Sequence, residues 1–241
     1  MRQPLRIAVA QPYCTPHDVA ANAAVHAAMI ESAQARVVIF PELSLTGYEL
    51  TTPTIAADDP RLVPIMKACA GSRTIALAGA PVRGKDNRDY IATLVIDGDG
   101  AAVAYRKMYL HPPESDWYSP GEGPAVLEVD GWRLGLAICR DSGIAEHVAA
   151  TAAMGMDAYV AGTLFSLTAG ARRDVRMRAI AVQHGVWVAA ASFAGATGGY
   201  PMTSGGSGIW APGGALIAQS GIRTGATAHA TLRHRSGAVE K

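Results

Sequence analysis

Short apolar runs rich in β-branched residues alternate along this chain with longer stretches of helical spacing. Buried strands are predicted at 5–10 (LRIAVA), 37–40, 74–82, 90–97, 101–107, 125–129, 132–138, 157–161, 186–192, 207–211 and 215–219. A helix is predicted over about 16–34, where Val19, Ala23, Ala27, Ile30 and Ala33 recur at helical spacing and Thr15 and Pro16 suit its cap and first position. A second helix runs from just after Cys139 to about Gly155. Val175, Ala179 and Val182 mark a third, with His184 and Gly185 at its end. Gly98-Asp99-Gly100 and Asp130-Gly131 separate strand pairs as hairpin turns do, and Pro212-Gly213-Gly214 marks another turn. No repeat and no charged or Ser/Pro-rich linker divides the chain. The pattern predicts one α/β domain over residues 1–241, with hairpins that make the sheets mixed.

Composition narrows the function classes. Of 241 residues, 49% are hydrophobic and only 17% charged, against roughly 25% charged in an average domain, so a large core is expected. Lys and Arg number 21 against 20 Asp and Glu, a formal net charge of +1, which offers no basic surplus for nucleic acid or an anionic membrane. Cys14, Cys69 and Cys139 form no CxxC pair and are odd in number, which argues for a reducing compartment. Gln11 and Pro12 interrupt the apolar start, and the run from Gly185 is too short for the ~20 residues of a membrane span. A soluble cytoplasmic protein is expected. The histidines show no metal-ligand spacing, so neither a metal nor a cofactor is implied.

Three segments carry candidate chemistry. In FPELSLTGY (40–48), Glu42 directly follows a buried strand, where catalytic groups of α/β proteins collect, although an ordinary loop carboxylate fits as well. In YRKMYLHPPE (105–114), Lys107 ends a strand. It could hold a fixed charge, or snorkel into water. In WRLGLAICRDSG (132–143), Cys139 sits where a strand turns into a helix. Backbone N–H groups and the helix end would favour a thiolate there, and a buried structural cysteine is the alternative.

Together, in this order, the segments resemble the nitrilase (carbon–nitrogen hydrolase) superfamily, amidase-like branch. RIAVAQ (6–11), PPESDWYSPGEGP (112–124), MGMDAYV (154–160), RAIAVQHGVWVAAAS (178–192) and GGSGIWAPGG (205–214) extend the resemblance over about residues 5–220, leaving a tail at 222–241. The resemblance implies a four-layer α-β-β-α sandwich and a catalytic triad of Glu42, Lys107 and Cys139. It gives Glu114 and the Arg140 backbone supporting roles, makes Trp117, Tyr118 and Phe165 substrate-pocket walls, and implies a homodimer or higher homo-oligomer. It also implies hydrolysis of a small-molecule amide, ω-amide or N-carbamoyl compound through a cysteine thioester. A nitrile substrate, a glutaminase subunit that supplies ammonia, and a non-catalytic binding member are the alternatives. The chain departs from the family pattern after the cysteine. It reads Arg140 and then SGIAEH where many members have an aromatic residue followed by Arg-Phe-Pro-Glu. Arg172, Arg173 and Arg176 are read as a solvated helix face, with a carboxylate-binding role as the alternative. Cys14 and Cys69 are read as structural.

Overall fold

The computed structural model describes residues 3–234. Two six-stranded mixed sheets lie face to face. In chain order the first contains β1 (Leu5–Gln11), β2 (Val37–Ile39), β3 (Ile75–Arg83), β4 (Asp89–Ile96) and β5 (Ala101–Arg106). The second contains β6 (Ala125–Val129), β7 (Trp132–Ile138), β8 (Ala158–Thr163) and β9 (Trp187–Ser192). Beyond β9, a two-stranded ribbon is made by β10 (Ala194–Thr197) and β11 (Tyr200–Ser204). Then β12 (Gly208–Trp210) and β13 (Leu216–Gln219) complete the second sheet, and β14 (Ala226–Leu232) returns to the first. The strand orders are β14-β1-β2-β3-β4-β5 and β13-β12-β9-β8-β7-β6.

The period-2 geometry of a strand explains why these runs are apolar throughout. In β1, Ile7 and Val9 join the core between the sheets, together with Leu77, Leu134, Leu136 and Val160. Ala8 and Ala10 face the other way, into a core shared with α1 (Val19–Ala33) and α2 (Val63–Ser72). On the far side, Ala137, Tyr159, Ala161 and Val188 meet α3 (Ala145–Ala153) and α4 (Gly170–His184). Three cores between four layers make the α-β-β-α sandwich.

Several local expectations are corrected. The first helix begins at Val19, because His17 adopts φ 62° and Asp18 Oδ1 caps the Ala21 N–H at 3.0 Å. In α4 the apolar positions that marked the helix include its exposed side, with Val175 at 70% and Val182 at 50%, whereas Met177, Ile180 and Ala181 face the core. Helix α2 and strands β10, β11 and β14 had no clear periodic signal. The tail is part of the fold as far as it is described: β14 pairs antiparallel with all of β1, from Leu5 opposite Leu232 to Gln11 opposite Ala226. The remainder of 222–241, from residue 235 onward, lies outside the described residues. The β6–β7 hairpin turns on Asp130 and Gly131, both at positive φ, as a two-residue turn of this hand requires.

Candidate active site

Strands β1, β2 and β3 run parallel in one sheet, and β7, β8 and β9 run parallel in the other. The site forms beyond the carboxyl ends of β2, β7 and β8, where diverging chain leaves a crevice. Glu42 occupies the turn after β2. The turn closes on itself through the Ser44 N–H donating to Pro41 O and the Thr46 N–H to Leu43 O, and it is tied to β3 by the Leu45 N–H donating to Gly79 O at 3.0 Å. Helix α1 holds it from behind. Asn22 Nδ2 donates to Leu45 O at 3.1 Å, and His26 Nε2 meets Ser44 Oγ at 2.8 Å. The turn carries a strained residue, Leu43 at φ 53°.

Lys107 follows β5 and is fixed by its own backbone. Its N–H donates to Ile91 O, and its carbonyl accepts from Gly121 N. Its side chain is 1% exposed and threads to the Glu42 carboxylate, with Nζ donating to Glu42 Oε1 at 2.5 Å. The same ammonium donates to both oxygens of Glu114, at 2.7 Å each. Glu114 is held in turn by Tyr48 Oη at 2.5 Å and by the His111 N–H at 2.8 Å. A buried ammonium between two buried carboxylates is stable only as a set, since removing one member strands the others without water. Burial pulls the Lys107 ammonium toward neutrality, but the carboxylates of Glu42 and Glu114 outweigh it and hold the charge in place. Glu42 is pushed above the usual carboxylate range by burial and by its neighbour Glu114, against the opposing pull of Lys107. Its second oxygen, Oε2, has no hydrogen-bond partner.

Cys139 begins the 3-10 turn Cys139–Gly143 that leads from β7 toward α3. It stands at φ 46°, a conformation that costs a non-glycine residue about 1–3 kcal/mol unless its surroundings enforce it. The enforcement is visible. Asp141 turns its carboxylate back, accepting from the Ile138 N–H at 3.0 Å, the Tyr109 N–H at 2.9 Å and Tyr105 Oη at 2.7 Å. Buried His147 bridges Tyr105 Oη (2.9 Å) and Tyr159 Oη (3.1 Å) behind it. Ser142 Oγ donates to Cys139 O at 2.6 Å. The thiol donates to Leu164 O at 3.3 Å, with the charges of Glu42 and Lys107 acting on it. The expectation of a resting thiolate is corrected: burial, reinforced by the Glu42 charge, pushes the thiol up, and nearby Lys107 offsets this only in part.

Cys139 opens onto a cleft of about 350 Å³ lined also by Tyr48, His111, Glu114, Arg140, Phe165 and Tyr200, among others. Of the three aromatic residues expected as walls, Phe165 lines it. Trp117 and Tyr118 do not. Trp117 is 53% exposed, while Tyr118 is buried with its hydroxyl on Leu50 O, because the Pro112–Asp116 turn that directs Glu114 inward carries the next two residues past the cleft. Arg176 is half-buried on the cleft wall, Arg172 borders the same cleft but stays exposed as a solvated face would have it, and Arg173 is buried against Asp174 and Ser204. Cys14 and Cys69 are buried and unpaired. Tyr48 and Asp141 fell within the quoted segments, but nothing in their spacing distinguished them.

A four-layer sandwich that gathers a glutamate, a lysine and a cysteine at its strand ends defines a hydrolase class, and comparison with known proteins agrees. The carbon–nitrogen hydrolase profile matches residues 6–239, and the chain belongs to that family. It is 30% identical over 227 residues to the hydrolase of the pqqF 5′ region in Pseudomonas protegens, covering 90% of this chain and 79% of the relative. It is 29% identical over 211 residues to an ω-amidase of Xenopus tropicalis, covering 79% and 75%. The crystal structure of an amidase of the nitrilase superfamily from Nesterenkonia superposes with a TM-score of 0.85 at 24% identity, over 95% of this chain and 92% of that one, a likeness of fold. The protein is a carbon–nitrogen hydrolase.

Proposed function

We propose that the protein hydrolyses a small amide, ω-amide or N-carbamoyl compound through a thioester on Cys139. The observation that carries this reading is the Lys107 ammonium, which touches Glu42 and Glu114 beside the Cys139 sulfur. The Cys139 sulfur attacks the carbonyl carbon while Glu42 takes the thiol proton through its unpaired oxygen. Lys107 and the Arg140 N–H offset the charge on the tetrahedral oxygen, an effect of about 3 kcal/mol or 10²-fold per donor. The carbon–nitrogen bond then breaks, and Glu42 returns the proton to the departing ammonia or amine. Water next attacks the thioester and gives its proton to Glu42. The acid leaves and the thiol re-forms. A neutral resting thiol suits this sequence, since Glu42 receives its proton only as the new bond forms.

Glu114, bound to Lys107 and Tyr48, is given the role of orienting the ammonium. The chain is read as a cytoplasmic homo-oligomer. Exposed Val175, Val182, Leu216 and Ile217 support the association. The test is ammonia release from a panel of amides, carbamoyl compounds and nitriles, with Cys139→Ala compared under a circular-dichroism folding control. Turnover by wild type and its loss in a folded variant are expected, with a mass increase on Cys139 after brief exposure to substrate. Near-parental turnover by Cys139→Ala would end the assignment.

A further inference from the structure

Arg140, Arg172 and Arg176 line the cleft that contains Cys139. Among the described residues none of the three forms an ion pair with a carboxylate. Arg140 and Arg172 are exposed and Arg176 is half-buried, whereas the fully buried cations of this region are paired. Lys107 has Glu42 and Glu114, and Arg173, 3% exposed, has Asp174 at 2.9 Å. Glu114, the carboxylate nearest to hand in the cleft lining, is already committed to Lys107, Tyr48 and the His111 N–H.

Arg176 is half-buried and held in place. Its guanidinium stands over the Phe165 ring with Cζ 5.6 Å from the centroid, and Nη1 donates to Ser142 Oγ at 3.3 Å. It also fills the space beside Gly143, where an added Cβ would meet Cζ and Nη2 at 2.7 Å. The missing side chain at position 143 is therefore what lets an arginine from α4 reach the turn that begins with Cys139. A guanidinium drawn partly out of water, fixed on three sides and left without a counter-ion is prepared for an anion from outside, and its planar fork fits a carboxylate.

We propose that the substrate of this hydrolase carries a carboxylate besides its scissile amide, and that Arg176, with Arg172 beside it, binds that carboxylate while the amide carbonyl reaches Cys139. The inference rests on the amide-hydrolase reading above and narrows its substrate class. The competing account is that the arginines merely balance the negative charge of Glu42 and Glu114, in which case substrate charge would not matter.

Two pairs of compounds that differ only by carboxylate against methyl decide the matter: succinamate against butyramide, and N-carbamoylglycine against ethylurea. Ammonia release should favour the anionic member of at least one pair by about 10- to 100-fold in kcat/KM, the range expected for a charge-assisted contact. Arg176→Gln should erase most of that ratio, chiefly through KM, and Arg176→Lys should restore part of it. Gly143→Ala keeps the charge but displaces the guanidinium, and should lower the ratio too. It serves as the second probe if Arg176→Gln folds poorly. Equal rates within both pairs, or a ratio untouched by Arg176→Gln and Gly143→Ala, would overturn the inference and leave the amide-hydrolase reading standing. Absence of ammonia from all four compounds and from the wider panel would instead remove the reading itself.

Discussion

Gly79 of β3 and Gly162 of β8, one from each sheet, close on the same turn, the one that carries Glu42. A Cβ on Gly79 would lie 2.2 Å from Leu43 N and 2.4 Å from Pro41 O. One on Gly162 would lie 2.8 Å from Phe40 O and 2.9 Å from Glu42 N. Glu42 is thus lodged between the two sheets through backbone contacts that leave no room for a methyl group.

Gly79→Ala should therefore reduce turnover by at least about 100-fold and destabilise the fold by about 1–3 kcal/mol, because the clash is with backbone and cannot relax by a rotamer change. Gly162→Ala should act the same way, less severely. Gly71, near the end of α2 with nothing within 4 Å of an added Cβ, is the internal control. Gly71→Ala should leave activity unchanged and add up to about 1 kcal/mol of stability. Thermal unfolding and ammonia release check all three.

Asp141→Asn removes an acceptor that serves two backbone N–H groups and a tyrosine hydroxyl at once. An amide has one acceptor oxygen, and its NH₂ faces donors. A loss of about 1–3 kcal/mol in stability is expected, with a larger fractional loss of kcat than of substrate affinity, because the φ 46° conformation of Cys139 loses its support. Steady-state kinetics beside urea denaturation would separate the two effects. An unchanged kcat would mean that the elbow holds itself.

The pH profile follows from Glu42. As a base it must be ionised, and burial with Glu114 nearby raises its pKa above the ordinary glutamate value of about 4.3. Activity should therefore fall as the pH drops through a midpoint near 8, visible in kcat/KM between mildly alkaline and neutral pH. In Lys107→Met the opposing cation is gone, so the midpoint should move higher still. That variant should also be less stable by about 3–5 kcal/mol near neutral pH and less affected in acid, where the stranded carboxylates can take up protons.

His26 gives a stability dependence of its own. Its Nδ1 lies 2.7 Å from Asn22 O, which can only accept, so Nδ1 carries the proton and Nε2 accepts from Ser44. Full burial lowers its pKa to about 4, the Asn22 hydrogen bond opposing only weakly. Above about pH 6.5 the folded and unfolded chains are both neutral at this residue, and nothing is lost. Between there and about 4 the unfolded chain takes up a proton that the folded one refuses, and about 3 kcal/mol of stability is lost. Thermal melts from pH 7 to 4 should fall more steeply for wild type than for His26→Gln.

How much of this was legible beforehand depended on what each residue needed. Glu42, Lys107 and Cys139 could be named because each lies in a short segment of its own next to a strand end and the three in order resemble a known family, while Glu114 came only with that resemblance. Strands such as 132–138 were visible because burial on both faces demands an unbroken apolar run. The β14 strand was hidden, since ATAHATL leaves the side chains of His229 and Thr231 exposed and becomes a strand only by pairing with β1. Trp117 and Tyr118 lie off the cleft because the direction of a side chain after a tight turn depends on the turn's geometry. Arg176 was misread for a related reason, as its surroundings are Phe165, Ser142 and Gly143, none of them on its own helix.

Taken alone, the order of residues determined the alternation of strands and helices and the mixed sheets, since these depend on local period, and its resemblance to a known family named an acid, an amine and a thiol as candidates. Folding in three dimensions decided which groups share a charge or a space: that Lys107 stands between two carboxylates, that burial pushes the Cys139 thiol up, and that an arginine from α4 fills the place left open at Gly143. In these relations Lys107 and Glu42 stand 65 residues apart in the chain, and Arg176 and Gly143 stand 33 apart. Burial and distance set their energies, and neither is encoded in any one segment.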